Sequence, residues 1–264
     1  MIAAYFGRLA KSYGEGVYYA RRRVAVIAAV ARELRDARSI LDLGCGNGAY
    51  LAELCRLCQR ARIVGADLSP EMLAEARRRA GTGVHLVQAD AGALPFGTES
   101  FDLVLCSHVL QLVADLSGCV SGVARCLRPG GVLIATLQDS SVRERLRAAM
   151  TAEQWEDFAR TVFREIAGRR PARTAEAYSE AYRSAGLELE SRSAPFSVGW
   201  TDVEEFVRIR WMPVASEQGR REMERMSARL RADTGMTPQT FELREGILLG
   251  RNPGAPPRAR SARV

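Results

Sequence analysis

Apolar runs separated by glycine-rich and polar segments recur through the first half of the chain. The clearest are residues 39–43 (SILDL), 62–69 (RIVGADLS), 84–90 (VHLVQAD), 101–112 (FDLVLCSHVLQL) and 132–137 (VLIATL). Most of them are short and lack strict polar–apolar alternation, which predicts strands that are covered on both faces. The fourth run is predicted to continue from a strand into a helix. Helical periodicity between the runs then predicts an α/β fold, a parallel sheet with helices on both faces.

The remaining segments have a less regular pattern. Helical periodicity covers about 24–34, 141–167, 174–185 and 202–231, the last broken near Pro213. Two strand-like segments, 187–196 and 241–251, follow the later helical regions. We expect a single domain over residues 1–253 and a disordered tail over 254–264, where proline and arginine dominate.

A glycine-rich turn joins the first predicted strand to the next helix, within residues 39–54. Gly44, Gly46 and Ala49 satisfy the relaxed dinucleotide-binding pattern G-x-G-x-x-G/A. Asp42, two residues before the turn, would repel a pyrophosphate but would attract a ligand that carries an ammonium or a sulfonium. The residues therefore favour a ligand with positive charge over NAD.

Two more acids end the next two predicted strands. Asp67 follows the glycines by about twenty residues, where a carboxylate accepts hydrogen bonds from the ribose hydroxyls of a nucleoside cofactor. Asp90 ends the third strand. Because ligands of open parallel sheets bind outside the carboxyl ends of the strands, we expect Asp42, Asp67 and Asp90 to serve one site.

The segment D-L-G-C-G-N-G (42–48) resembles motif I of the class I S-adenosylmethionine (SAM) methyltransferases. In that family the position of Asp90 accepts a hydrogen bond from the adenine amino group, and the backbone N–H of Ala91 meets a ring nitrogen. The turn L-R-P-G-G (127–131) before the fifth strand also resembles its family counterpart. The resemblance implies a Rossmann-like, seven-stranded and mostly parallel sheet with an antiparallel last strand.

The same resemblance implies how the domain is divided. It implies N-terminal lid helices over 1–36, a SAM-binding core over 37–138, and helical cap insertions over about 139–185 and 199–238. Residues 187–196 and 241–250 would form the sixth and seventh strands. The pattern F-x-x-L-A-x-x-Y from Phe6 to Tyr13 resembles the lid helix of ubiquinone-type and biotin-pathway methyltransferases. Packing onto the core is an equally good explanation of the clustered tyrosines.

The resemblance also implies a set of site residues. The implied cofactor contacts are Tyr13, Asp42, Gly44, Cys45, Gly46, Gly48, Asp67, Leu68, Asp90, Ala91 and Cys106. His108 directly follows the fourth strand and is a candidate general base; the alternatives are a cap of the next helix and a pocket wall without proton transfer. Tyr13 and Tyr19 are further catalytic candidates. No metal site is expected, since a nucleoside accounts for the clustered acids.

Composition narrows the choice of partners. The net charge is +7, but it comes almost entirely from arginines that alternate with acids, so no nucleic-acid surface is expected. Cys55 and Cys58 form a C-x-x-C within a predicted helix but without a second pair, so the six cysteines are expected to be buried thiols. There is no apolar run of about eighteen residues and no signal-peptide pattern, which predicts a cytoplasmic protein without membrane insertion. We expect a monomer or a homodimer.

The leading hypothesis is a SAM-dependent methyltransferase that acts on a small molecule in bacterial specialised metabolism. The alternative acceptor is a carboxyl group of an acyl chain bound to a carrier protein, of the malonyl-carrier-protein type, because a basic enzyme suits an acidic carrier. Two other classes remain open, a nicotinamide-dependent oxidoreductase and a SAM-binding protein or cyclase that transfers no methyl group.

Overall fold

Seven strands form one sheet in this protein. A computed structural model describes residues 2–137, 151–158, 173–210 and 240–254, with isolated helical positions at 144, 147, 217, 220, 221, 224, 225 and 228. The strands are β1 (Ser39–Leu43), β2 (Arg62–Asp67), β3 (His85–Gln88), β4 (Phe101–Ser107), β5 (Leu127–Leu137), β6 (Glu188–Gly199) and β7 (Thr240–Arg251). Their order in the sheet is β3-β2-β1-β4-β5-β7-β6.

The strand directions confirm the predicted fold class. β1 to β5 pair in parallel, whereas β7 lies antiparallel between β5 and β6. Every residue of β1 is buried, as expected for a central strand that is covered on both faces. The sheet is therefore the mostly parallel, Rossmann-like sheet with an antiparallel last strand.

Nine helices are described around this sheet. They are α1 (Ile2–Leu9), α2 (Gly16–Ala29), α3 (Ala31–Asp36), α4 (Ala49–Leu57), α5 (Pro70–Ala80), α6 (Leu116–Cys126), α7 (Ala152–Phe158), α8 (Ala175–Ser184) and α9 (Trp200–Arg210). α5 begins where the sequence predicts, because the Ser69 hydroxyl accepts a hydrogen bond from the Met72 N–H and proline occupies the first helical position. Within these described residues, no helix combines the length and apolarity that a membrane crossing requires.

Two buried clusters, one on each face of the sheet, form the core. Leu41, Leu43 and Val104 belong to one cluster, and Ile40 and Leu103 belong to the other. This division follows from strand geometry, because successive side chains point to opposite faces. The sheet consequently holds the carboxyl ends of β1, β2 and β4 rigidly at one edge.

Two local predictions were wrong. The single helix that was expected over 24–34 is divided between α2 and α3. The break falls at Val30, whose φ of −117° and ψ of 17° are not helical. No helix follows β4 directly: His108 has a φ of 59°, which a right-handed helix cannot accommodate. Residues 108–115 are turn and loop, and α6 starts only at Leu116, where the Asp115 carboxylate caps the Gly118 N–H at 2.9 Å.

The predicted L-R-P-G-G turn lies inside β5. Phe101 pairs with Leu127 and Leu103 pairs with Val132, so β5 carries extra residues opposite β4. These residues bulge toward the end of β7, where the Gly130 N–H donates to the Asn252 carbonyl at 2.7 Å.

Much of the two predicted cap insertions, 139–185 and 199–238, lies outside the described residues, as does the predicted tail beyond Gly254. The division of the chain into lid, core and caps therefore stays a prediction.

Candidate functional site

A cleft of about 290 Å³ opens at the carboxyl ends of β1 to β4. Its volume is close to the lower limit of about 300 Å³ for small-molecule sites. The cleft is lined by Phe6, Tyr13, Leu43, Gly44, Gly46, Asp67, Leu68, Met72, Ala89, Asp90, Ala91, Ser107, His108, Val109, Leu112, Val113 and Ala114. The structure thus brings together eight of the predicted site residues, namely Tyr13, Gly44, Gly46, Asp67, Leu68, Asp90, Ala91 and His108.

The glycine-rich turn forms one wall of the cleft. Gly44 has a φ of 69°, and a Cβ at this position would lie 2.1 Å from Cγ2 of Val109, another residue of the wall. A side chain would therefore be both strained and too close to its neighbour. Glycine keeps the turn sharp and leaves this part of the cleft open to a ligand.

Asp67 is held in a defined orientation at the end of β2. Its Oδ2 accepts a hydrogen bond from the Gly46 N–H at 2.8 Å, and its Oδ1 accepts from the Ser69 N–H at 2.9 Å. Burial raises the pKa of Asp67, while these backbone hydrogen bonds oppose the rise. Each carboxylate oxygen has a second lone pair, so Asp67 keeps capacity to accept bonds from ligand hydroxyls.

Asp90 and Leu68 provide a polar and an apolar edge beside Asp67. Asp90 is exposed, and its Oδ1 accepts a hydrogen bond from the Gly92 N–H at 2.8 Å. Leu68 is 42% exposed, an unusual environment for a leucine in a site wall. An exposed apolar side chain beside a fixed carboxylate suits a ligand with a flat ring and polar substituents.

Asp42 provides the sharpest test of ligand charge. It is 1% exposed, and its Oδ2 has no hydrogen-bond partner among the residues that the structure describes. Burial is the main cause that raises the pKa of Asp42, and the negative charge of Asp67 adds to it, so the pKa reaches about 8. A buried carboxylate without a partner is costly unless a cation compensates it. The residues present therefore fit the ammonium and sulfonium groups of SAM.

His108 also lines the cleft, and its side chain is paired with a residue from β7. Its Nε2 lies 2.5 Å from Oε1 of Glu245, and both side chains are buried. Burial raises the pKa of Glu245, but the charges of His108 and Arg22 and hydrogen bonds from His108 and Thr136 outweigh it, so the pKa lies below its ordinary value. The carboxylate of Glu245 is therefore ionised at neutral pH.

Comparison with known proteins agrees with this geometry. Residues 41–135 match the protein family described as "Methyltransferase domain". They extend from Leu41 in β1 to Ala135 in β5 and contain the three strand-end carboxylates. This part of the chain is therefore similar to a methyltransferase domain.

The individual proteins that this chain resembles differ in the activities for which they are named. A malonyl-[acyl-carrier protein] O-methyltransferase of Enterobacter lignolyticus is 38% identical over 151 residues, which cover 57% of this chain and 59% of the relative. A trans-aconitate 2-methyltransferase of Acidovorax sp. is 38% identical over 124 residues, which cover 46% of this chain and 47% of the relative. The chain thus spans about half to three fifths of the length of these curated relatives.

The fold of this chain also occurs in a protein that is named for a different chemistry. The [4+2]-cyclase SpnF superposes with a TM-score of 0.59 at 18% identity, over 91% of this chain and 85% of that chain. The shared architecture therefore identifies the fold and leaves the reaction to be argued from the site.

Several predicted site residues do not line the cleft. Asp42, Cys45 and Cys106 are buried, and burial raises the pKa of both thiols. Gly48 begins α4 with a φ of 81°, and a Cβ there would lie 2.8 Å from the Ala76 Cα, so it serves the packing of α4 on α5. Tyr19 is 2% exposed and packs on Phe206, with a distance of 5.6 Å between ring centroids. The positions of Cys106 and Tyr19 support packing roles.

Sequence reasoning missed Glu245 and the hydrophobic wall formed by Val109, Leu112 and Val113. The wall follows β4 in a segment that was expected to be helical. For Glu245 a signal exists in the sequence: it occupies the buried register of β7 together with Leu243, Ile247 and Leu249. An acid within such an alternating apolar set indicates a buried partner of opposite charge.

A larger depression of about 460 Å³ lies between α2, α3 and α4. Aliphatic residues such as Val24, Ile27 and Leu57 line it, together with Arg35 and Arg56. None of the strand-end carboxylates reaches it. We therefore assign the candidate function to the smaller cleft.

Proposed function

We propose that this protein transfers a methyl group from SAM, bound in the cleft, to a small-molecule acceptor. The observation that carries the proposal is the buried Oδ2 of Asp42, which has no hydrogen-bond partner among the described residues. Asp42 lies on β1 next to Leu43 and Gly44, which line the cleft together with Asp67 and Asp90. A nucleoside that carries a cation satisfies all three carboxylates at once, whereas the pyrophosphate of NAD would be repelled by Asp42.

Each part of SAM has candidate partners in the cleft. Asp67 would accept hydrogen bonds from the ribose hydroxyls, and Asp90 and the Ala91 N–H would hold the adenine edge. Leu68 would pack against the adenine ring. Asp42 would balance the positive charge near the glycine-rich turn. When bound, SAM supplies an electrophilic methyl group on a sulfonium.

The remaining residues would align the acceptor and exclude water, which are the main requirements of an in-line displacement. Tyr13 and Phe6 border the cleft from the N-terminal segment, and their rings meet edge to face with centroids 5.5 Å apart. An apolar part of the cleft surface is formed by Val109, Leu112 and Val113. His108 would take the proton of a phenol, amine or carbon acid as general base.

A carboxylate acceptor is the second candidate. The two relatives are named for acids, malonyl-[acyl-carrier protein] and trans-aconitate. A carboxylate is already a nucleophile and needs no base, so His108 would then line the pocket without proton transfer. A carrier-bound acyl group would also suit the positive net charge of +7, since carrier proteins are acidic.

Calorimetry with SAM, S-adenosylhomocysteine and NADH provides the first test. We expect binding of both sulfur nucleosides and none of NADH; tight NADH binding without SAM binding would overturn the proposal. Turnover is then measured as release of S-adenosylhomocysteine over a panel of phenols, amines, free acids and acyl-carrier conjugates. Absence of release with every acceptor would favour a protein that uses the fold without transferring methyl.

The His108→Ala variant separates the two acceptor classes. With an acceptor that must lose a proton, kcat should fall by about 10²–10⁴-fold while SAM affinity is retained. With a carboxylate acceptor, kcat should change little, and the product should be a methyl ester that dilute base hydrolyses. An unchanged rate with a phenol or an amine would exclude His108 as the base.

A further inference from the structure

Three ionisable side chains from distant parts of the chain meet beside the cleft. Arg22 comes from α2, His108 follows β4, and Glu245 lies on β7. Their exposures are only 8%, 8% and 2%. Replacing buried charges by apolar groups is often neutral or stabilising, so a stable fold does not require such a group. Only His108 lies within the matched family region.

The three groups form an ordered chain of contacts. Oε1 of Glu245 lies 2.5 Å from Nε2 of His108. The Thr136 side chain also hydrogen-bonds Glu245, and the Thr136 carbonyl accepts the backbone N–H of His108 at 3.1 Å. Both the ring and the backbone of His108 are therefore tied to the antiparallel pair β5 and β7.

Arg22 supplies the positive charge behind Glu245. Its guanidinium lies 5.0 Å from the centre of the Tyr19 ring, and its Nε has no hydrogen-bond partner among the described residues. The negative charge of Glu245 helps to raise the pKa of Arg22 against the effect of burial. The other titratable groups at this cluster are Tyr18 and Tyr19 of α2 and Tyr50 of α4. Burial raises the pKa of Tyr50 to about 12, so Tyr50 is neutral over the range in which histidine titrates.

An ionised carboxylate can only accept hydrogen bonds. The hydrogen between Glu245 and His108 must therefore reside on Nε2 of the imidazole, and Nδ1 carries the lone pair. A neighbouring carboxylate also favours the imidazolium over the neutral ring.

We propose that Glu245 is a positioning residue for His108, which holds the imidazole with its proton on Nε2 and makes Nδ1 the proton-accepting atom, while Arg22 keeps Glu245 ionised. This inference rests on the proposed function, because it assigns the nitrogen that would act as base. In the step, the acceptor's X–H bond would break as an Nδ1–H bond forms, and the electron pair left on X would form the new X–CH3 bond while the methyl–sulfur bond breaks and its electron pair stays on sulfur as a neutral thioether. Glu245 balances the resulting imidazolium charge.

The test is ¹⁵N–¹H correlation spectroscopy of the imidazole rings, followed as a pH titration. The chain has two histidines, so His85, which is exposed at the start of β3, serves as an internal control. In the wild-type protein we expect the neutral form of His108, reached above its pKa in the titration, to be the Nε2–H tautomer. In Glu245→Gln we expect its pKa to fall by about 1–3 pH units, with that of His85 unchanged. A wild-type Nδ1–H tautomer, or an unchanged pKa of His108 in the variant, would overturn the proposal.

Two further variants control for folding. Glu245→Gln leaves Arg22 buried without its counter-charge, so the double variant Arg22→Met/Glu245→Gln is titrated in parallel, and it should again show the lowered pKa of His108. Glu242→Gln, at an exposed position of the same strand, should leave both histidines unchanged. Binding of S-adenosylhomocysteine is measured on the same samples. If the wild-type protein does not bind S-adenosylhomocysteine, the proposed function is contradicted, whereas the assignment of the His108 tautomer is unaffected.

Discussion

The side-chain amide of Asn47, inside the glycine-rich turn, donates a hydrogen bond of 2.5 Å to the backbone carbonyl of Tyr13. The same Nδ2 donates to the Ala10 carbonyl at 3.0 Å, and Asn47 is 2% exposed. One buried amide therefore ties the segment that carries Tyr13 to the turn that is proposed to bind SAM. We therefore expect that movement of the N-terminal segment away from the turn would break the hydrogen bonds of Asn47 and disturb the turn as well.

Replacing Asn47 by alanine should release the N-terminal segment. Two buried carbonyls lose their donor, which should lower the free energy of unfolding by about 1–3 kcal/mol. Amide hydrogen exchange of residues 2–14 should accelerate. Asn252→Ala, which removes side-chain hydrogen bonds at the end of β7, should leave exchange in 2–14 unchanged. Equal exchange of 2–14 in the wild-type protein and Asn47→Ala would show that Asn47 does not hold the segment.

Deleting the N-terminal segment should show whether it is needed to cover the cofactor or only to fold the protein, provided that the deletion ends before α2. Removing residues 1–14 leaves Tyr18 and Tyr19 buried against Phe206, and the sheet should fold but lose turnover. Removing 1–20 also deletes both tyrosines and should lower the melting temperature markedly. Circular dichroism melts and S-adenosylhomocysteine release provide the measurements. Full activity without residues 1–14 would disprove the lid hypothesis.

Asp42→Asn should change stability and binding in opposite directions. Burial raises the pKa of Asp42 from 3.8 to about 8. The unfolded chain therefore loses this proton at lower pH than the folded protein, so wild-type stability should fall as pH rises from about 4 to about 8. The asparagine variant should lack this pH-dependent loss of stability. Its melting temperature should therefore exceed that of the wild-type protein by an amount that grows from about pH 4 to about pH 8 and then levels off. A constant gain at all pH values would contradict the pKa assignment.

Ligand binding at Asp42 should show the reverse dependence. A cation favours the ionised carboxylate, so affinity for S-adenosylhomocysteine should increase between about pH 6 and 7.5 as ionisation becomes less costly. Asp42→Asn should bind more weakly, with a flatter pH dependence. Calorimetry at several pH values measures both effects. A variant that binds as tightly as the wild-type protein would remove Asp42 from the site.

Asp67→Ala should weaken binding of SAM by roughly 1.5–3 kcal/mol, because the ribose hydroxyls lose a charged acceptor. The variant also frees the N–H groups of Gly46 and Ser69, so melting temperature is recorded alongside calorimetric affinity. Asp36→Ala, at the exposed end of α3, is the control and should bind normally. Wild-type affinity in Asp67→Ala would refute the ribose assignment.

Gly48→Ala should destabilise the fold more than Gly186→Ala, at the Schellman-type end of α8. Both glycines have positive φ, 81° and 73°, so each alanine costs about 1–2 kcal/mol of backbone strain. Only at Gly48 does the new Cβ meet another backbone, 2.8 Å from the Ala76 Cα, which adds about 1–3 kcal/mol. Urea denaturation of the two variants measures the difference. Equal losses would show that α4 and α5 have room to separate.

The sequence by itself determined the sheet and the edge of the cleft that carries the acids. Apolar runs that end in Asp42, Asp67 and Asp90 specify both the strands and the positions of the acids, because strand ends of a parallel sheet meet at one edge. The antiparallel last strand and the class I resemblance were also correct. These features depend on local patterns, which the chain carries within short stretches.

Only the tertiary structure decided the partners of those residues. Glu245 lies 137 residues from His108, and it reaches the ring because β7 inserts between β5 and β6. Asn47 contacts Tyr13 through a fold-back of the N-terminal segment, and Val109 faces Gly44 because the chain leaves β4 with a left-handed His108 rather than a helix. Contacts between distant segments depend on strand order and on the packing of whole elements. A local pattern reveals which residues are available, but the assembled sheet decides which of them meet.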